Sequence, residues 1–102
     1  MSDYTCQRPI HPGELLKEEI EYRNLTQTKL AHQMGISYKH LNDILNCHRP
    51  LTESVAYLFE AALDIDAAML MRMQLKYNMR MTKQDKSFLK RLEEVRRIAS
   101  ML

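Results

Sequence analysis

Five polar side chains gather on one side of a short segment: Tyr38, Lys39, Asn42, Asp43 and Asn46. On a helix, residues three and four apart share a face, so these five line a single surface. Their chemistry suits the edges of base pairs. Lysine reaches guanine acceptors or phosphate, asparagine makes a two-pronged contact with adenine, and tyrosine stacks or meets a thymine methyl. Asp43 is the odd member, because it repels phosphate; Lys39, four residues earlier, is its natural ion-pair partner. Gln27, Thr28 and Ser37 lie near the starts of two helices. There, polar side chains and unpaired backbone N–H groups are natural donors to phosphate.

Such a face works only if something holds it outward. The stretch 27–46 has the means. Thr26 has N-cap chemistry for a helix from Gln27 to Met34, and Gly35 accepts the left-handed backbone that ends it. Ser37 caps a second helix, Tyr38 to Asn46. Ala31 lets two helices touch, Ile36 plugs the corner, and Leu41 and Ile44 bury the inner face, with Leu30 beside Ala31. Leu30, Ala31, Gly35, Ile36, Leu41 and Ile44 together describe a helix-turn-helix, in which two short helices cross steeply over a tight turn. A plain helical hairpin with a solvated face is the bland alternative. It does not require all of these residues at these separations.

The rest of the chain reads as more helix. Few glycines and prolines, eight methionines and much Leu, Lys, Glu and Gln disfavour a sheet. Residues 1–10 read as a loose arm. His11-Pro12-Gly13-Glu14 opens a first helix to about Arg23, with Leu15, Leu16, Ile20 and Tyr22 as its apolar stripe. Thr52 caps a fourth helix, from Glu53 to Leu63, with Val55, Ala56, Leu58, Phe59, Ala62 and Leu63 inside. Asp66 caps a fifth, from Ala67 to about Met79. Thr82 and Asp85 resemble a capping box that starts a sixth helix. The expected architecture is all-α: residues 11–79 form a five-helix domain, and residues 80–102 form an added C-terminal helix.

In that last helix, Phe88, Leu92, Val95, Ala99 and Leu102 form a narrow apolar seam. It packs either on its own domain or on a second copy or partner; five helices already close a domain, which favours the second. Met69, Met71, Met73, Met79 and Met81 read as core and interface filler.

The 102 residues suit one domain without a metal or disulfide. Residues 1–63 hold six Lys/Arg against eight Asp/Glu, and residues 64–102 hold nine against five. That basic C-terminal third feels phosphate at long range or is simply a solvated face. Cys6 and Cys47 are far apart and read as free thiols in a reducing cytoplasm. No apolar run resembles a signal peptide or membrane span. His11, His32, His40 and His48 lack metal-ligand spacing. No HExxH, phosphate loop or nucleophile elbow occurs, so no cofactor, small-molecule substrate or enzymatic activity is expected.

The opening His11-Pro12-Gly13-Glu14, the Leu30-Ala31 pair, Gly35-Ile36-Ser37, Arg49-Pro50-Leu51-Thr52 and Gln74-x-x-Tyr77-Asn78 carry a resemblance. Over residues 11–78 the chain resembles the Xre/Cro-like helix-turn-helix family, and within it the HigA (VapI-type) antitoxins. The resemblance implies a five-helix, lambda-repressor-like domain that binds an operator in double-stranded DNA as a homodimer. It also implies repression of a type II toxin–antitoxin operon and inhibition of a RelE-like, messenger-RNA-cleaving toxin. A phage- or plasmid-type Xre regulator without a toxin partner, or an interaction module that has lost DNA binding, are the competing expectations. Asp43 on the reading face and the acidic N-terminal half favour the latter. Two positions depart from the family pattern: Cys47 stands where glycine is usual, and Leu70 where tryptophan is usual. The first is expected to alter the helix end, and the second the packing of the fifth helix.

Overall fold

The computed structural model describes residues 10–102; the N-terminal arm before Ile10, with Cys6, lies outside the described residues. Six helices follow in order: α1 Pro12–Tyr22, α2 Gln27–Met34, α3 Tyr38–Leu45, α4 Glu53–Leu63, α5 Ala67–Lys83 and α6 Lys86–Ala99. There is no strand among the described residues. The fold is the all-helical one that the sequence implies.

The caps explain most boundaries. Thr26 accepts from the Lys29 N–H at 3.2 Å, and Ser37 from the His40 N–H at 3.0 Å. Asp66 accepts from the Met69 N–H at 3.0 Å. Each satisfies a donor that the first helical turn would otherwise leave unpaired. Thr52 holds the N-cap position of α4, but its hydroxyl makes no capping bond and faces Ser54 instead. Asp85 alone caps α6, through the N–H groups of Ser87 and Phe88. Thr82 lies inside α5, which continues to Lys83 and does not end near Met79. The stretch from Met79 onward has no breaker residue, so the helix runs on.

The core forms where α1 to α5 meet. Leu16, Leu41, Ile44, Ala56, Phe59 and Leu70 are fully buried, joined by Leu30, Ala31, Met34, Leu45, Val55 and Leu63. Leu70 takes the expected tryptophan position as an ordinary core leucine. Two stripe assignments fail. Tyr22 is 86% exposed, in the last turn of α1, and Ala62 also faces out. Met69 and Met71 pack against the core, whereas Met79 and Met81 are exposed.

The last helix stands apart from this core. It packs chiefly on α5, and none of its residues is buried. The chain therefore extends 57 Å along its longest axis, with a radius of gyration of 17.2 Å, against about 13 Å for a compact chain of 100 residues.

Candidate nucleic-acid interface

The corner between α2 and α3 has the geometry that its residues call for. Gly35 has φ 72°, a left-handed conformation that costs glycine nothing. The Gly35 N–H bonds the His32 carbonyl at 3.2 Å, and the Ile36 N–H bonds the Ala31 carbonyl at 3.1 Å. This paired closure ends α2 and turns the chain into Ser37. Leu30, Ala31, Leu41 and Ile44 are buried, and Ile36 packs partly buried against them.

At the far end of α3 the same closure recurs without glycine. Cys47 adopts φ 64°; its N–H bonds the Ile44 carbonyl at 3.1 Å, and the His48 N–H bonds the Asp43 carbonyl at 2.8 Å. The helix end is thus conventional, against the expectation raised by Cys47. The cost of a left-handed cysteine, about 1–2 kcal/mol, is absorbed.

The outer face of α3 is assembled as the spacing predicts. Tyr38 is half exposed and Lys39 projects into solvent, while Asn42, Asp43 and Asn46 are half-buried. Asp43 pairs with Lys39 at 3.2 Å, as its position four residues on suggests. It also lies 3.7 Å from Arg49, which the sequence marks within the Arg49-Pro50-Leu51-Thr52 run but not as part of this face. Two cations around one carboxylate leave this edge of the face positive. Thr28 and Ser37 lie exposed near the starts of α2 and α3.

A chain of side-chain amides crosses the same face. Asn42 Nδ2 donates to Gln27 Oε1 at 3.0 Å. Asn46 Nδ2 donates to Asn42 Oδ1 at 3.2 Å and to the Asn42 carbonyl at 2.9 Å. Lys17 of α1 donates through Nζ to Asn46 Oδ1 at 3.2 Å. Gln27, Asn42 and Asn46, three residues that the sequence pattern marks, are thereby brought into one array. Lys17 is not marked by the sequence pattern. Within α1 its local partners are glutamates, and only the crossing of α1 over α3 reveals the contact.

Three further residues brace the site from behind. Gly13 packs so closely on α3 that a Cβ there would lie 2.0 Å from the Ile44 carbonyl oxygen. Gln74, buried in α5, accepts from the Leu51 N–H at 2.8 Å and donates to Asn78 at 2.8 Å. His11, only 2% exposed, caps α1 by accepting the Gly13 N–H at Nδ1 over 2.9 Å. Its ring meets Tyr77 edge-on at 4.9 Å.

Burial holds the His11 imidazole below its ordinary value of 6.5, against the pull of its bond to the Arg49 backbone and the charge of Glu14. Protonation would turn the capping acceptor into a donor facing a donor. Unfolded chains take the proton below pH 6.5 while the folded chain resists it, so this residue's contribution to stability is complete above pH 6.5 and declines below it. The decline ends once the folded imidazole is itself protonated. Urea unfolding from pH 7.5 down to 5 checks this: His11→Asn, which keeps a capping oxygen, should show a flatter pH dependence by up to about one proton. An unchanged slope would refute it.

The apolar seam of α6 divides. Phe88 and Leu92 are half-buried, whereas Val95 is 56% exposed and Ala99 and Leu102 are uncovered. Among the described residues, no three His, Cys, Asp or Glu side chains gather as metal ligands, and no helix is long and apolar enough to cross a membrane.

Comparison with known proteins places this geometry. The family described as "Helix-turn-helix" matches residues 16–70, from α1 into α5. The chain is 33% identical over 78 residues to virulence-associated protein I of Dichelobacter nodosus, covering 76% of this chain and 72% of the relative. The Pseudomonas aeruginosa antitoxin HigA, solved with the higBA promoter, superposes with a TM-score of 0.75 at 27% identity, covering 85% of this chain and 94% of that one. An addiction module antidote protein of the HigA family from Coxiella burnetii gives 0.74 at 28% identity, covering 86% and 95%. The chain belongs to the Helix-turn-helix family, in the Xre-like branch that holds the HigA (VapI-type) antitoxins.

Proposed function

We propose that this protein is a sequence-specific DNA-binding repressor, the antitoxin of a type II toxin–antitoxin operon. It acts in the cytoplasm by binding and not by catalysis. The observation that carries the reading is the outer face of α3, where exposed Tyr38 and Lys39 stand beside the half-buried, hydrogen-bonded Asn42 and Asn46. Gln27, Thr28 and Ser37 stand at its edge, where the N-termini of α2 and α3 supply donors for phosphate. Asp43 serves as an internal counter-ion to Lys39 and Arg49 and contacts no DNA.

A homodimer would place two α3 helices one duplex turn, about 34 Å, apart. Phe88, Leu92, Val95, Ala99 and Leu102 of α6 are the surface assigned to the second copy or to the toxin. The toxin is a RelE-like ribonuclease, a class carried here by the family resemblance. The relative solved with its promoter supports the DNA partner.

Selection from a random-sequence duplex pool tests the proposal. The enriched sites should carry two inverted half-sites about one turn apart, and affinity should fall steeply with salt as phosphate contacts release counterions. A pool without enrichment overturns DNA recognition. Co-purification with the product of the adjoining gene tests the toxin partner; no complex overturns that half.

A further inference from the structure

The amide array on α3 has a direction, set at Asn46, where the Lys17 ammonium and the Asn42 backbone carbonyl both bind the side-chain amide. A lysine ammonium only donates, whereas each side-chain amide both donates and accepts. Because Lys17 Nζ donates to Asn46 at 3.2 Å and the Asn42 backbone carbonyl accepts from Asn46 at 2.9 Å, the Asn46 oxygen must face Lys17 and its NH2 must face Asn42. Asn42 then presents its oxygen to Asn46 and its NH2 to Gln27 Oε1, at 3.0 Å. The last free group is the Gln27 NH2, which makes no hydrogen bond among the described residues.

We propose that Lys17 is a positioning residue: through Asn46 and Asn42 it orients Gln27 so that a donor, not an acceptor, faces the DNA. This rests on the DNA-binding reading above. A donor there suits a phosphate oxygen or a purine acceptor, and an outward oxygen would be repelled by phosphate. Lys17 itself touches no DNA; its half-buried ammonium is turned along the protein surface toward Asn46.

The probe is a duplex selected from a random-sequence pool by the wild-type protein. Lys17→Met keeps the aliphatic stem and removes the donor, and should weaken binding about tenfold. Lys17→Arg keeps the donor and should bind within about threefold of wild type. Lys17→Glu sets an acceptor against the Asn46 oxygen, which cannot turn away without facing the Asn42 carbonyl, and should weaken binding more than Lys17→Met does.

Two readouts separate orientation from a phosphate contact or general damage. On a Gln27→Ala background, Lys17→Met should have no further effect. The salt slope of Lys17→Met should equal that of wild type, because no phosphate contact is lost. Undiminished binding by Lys17→Met, or an equal loss with and without Gln27, overturns the relay and leaves DNA recognition standing. A wild-type chain that enriches no duplex overturns both.

Discussion

Replacing Lys39 and Asn42 together by alanine should abolish operator recognition while leaving the fold intact. Lys39 is solvent-exposed and pairs with Asp43, so its loss removes an exposed ion pair of little energetic weight. Asn42 is half-buried and makes hydrogen bonds with Gln27 and Asn46. Its removal should cost about 1 kcal/mol of stability. On DNA the arithmetic differs. A good base contact is worth about 1–3 kcal/mol, and a homodimer makes each contact twice. The double variant should therefore lose about a thousandfold or more in specific affinity and fall toward its non-specific level. Gel shifts against the selected duplex and a random duplex check this, with helical content followed by circular dichroism. Undiminished specific binding by a folded double variant would remove α3 from the reading role.

The corner that supports this face was legible in the sequence because each constraint is local. Gly35 meets a torsional demand, and Thr26 and Ser37 meet demands of unpaired N–H groups one turn away. Buried positions at helical spacing could be read as well: Leu30, Ala31, Leu41 and Ile44 are all inside. The failures share a cause. Tyr22 fits the periodic stripe of α1, but the helix ends where no neighbour remains to cover it. Thr82 looks like a cap only if α5 has already stopped. Lys17, Gln74 and His11 act across elements, over distances in sequence that no local pattern spans, and Arg49 meets Asp43 from the loop beyond the helix end. The rear bracing of the site is therefore a property of the tertiary crossing of α1 and α5 behind α3, visible only once those helices are placed.

The chain has two glycines, and they should respond to alanine in different ways. At Gly35 a Cβ would meet nothing within 4 Å, so the penalty is torsional, about 1–2 kcal/mol. At Gly13 the backbone is unstrained but the space is gone. An added Cβ would lie 2.0 Å from the Ile44 oxygen and 3.0 Å from the His11 ring nitrogen that caps α1. Neither obstacle is a flexible side-chain tip. The first belongs to the last turn of α3, and the second is held by the Gly13 N–H itself. Relief requires α1 to lift from α3, which strips the His11 cap and loosens Leu16 and Ile20 from the core. Overpacking typically costs about 1–3 kcal/mol, and with a backbone oxygen as the obstacle Gly13→Ala should fall at the upper end, about 3 kcal/mol. For a chain of this size that lowers the melting temperature by roughly 10–20 °C. Gly13→Ala should also weaken DNA binding at temperatures where the protein remains folded, since the lifted helix carries Lys17 away from Asn46. Thermal melts of the two variants decide the matter: a Gly13→Ala protein no less stable than Gly35→Ala would show that α1 does not bear on α3 as closely as this contact requires.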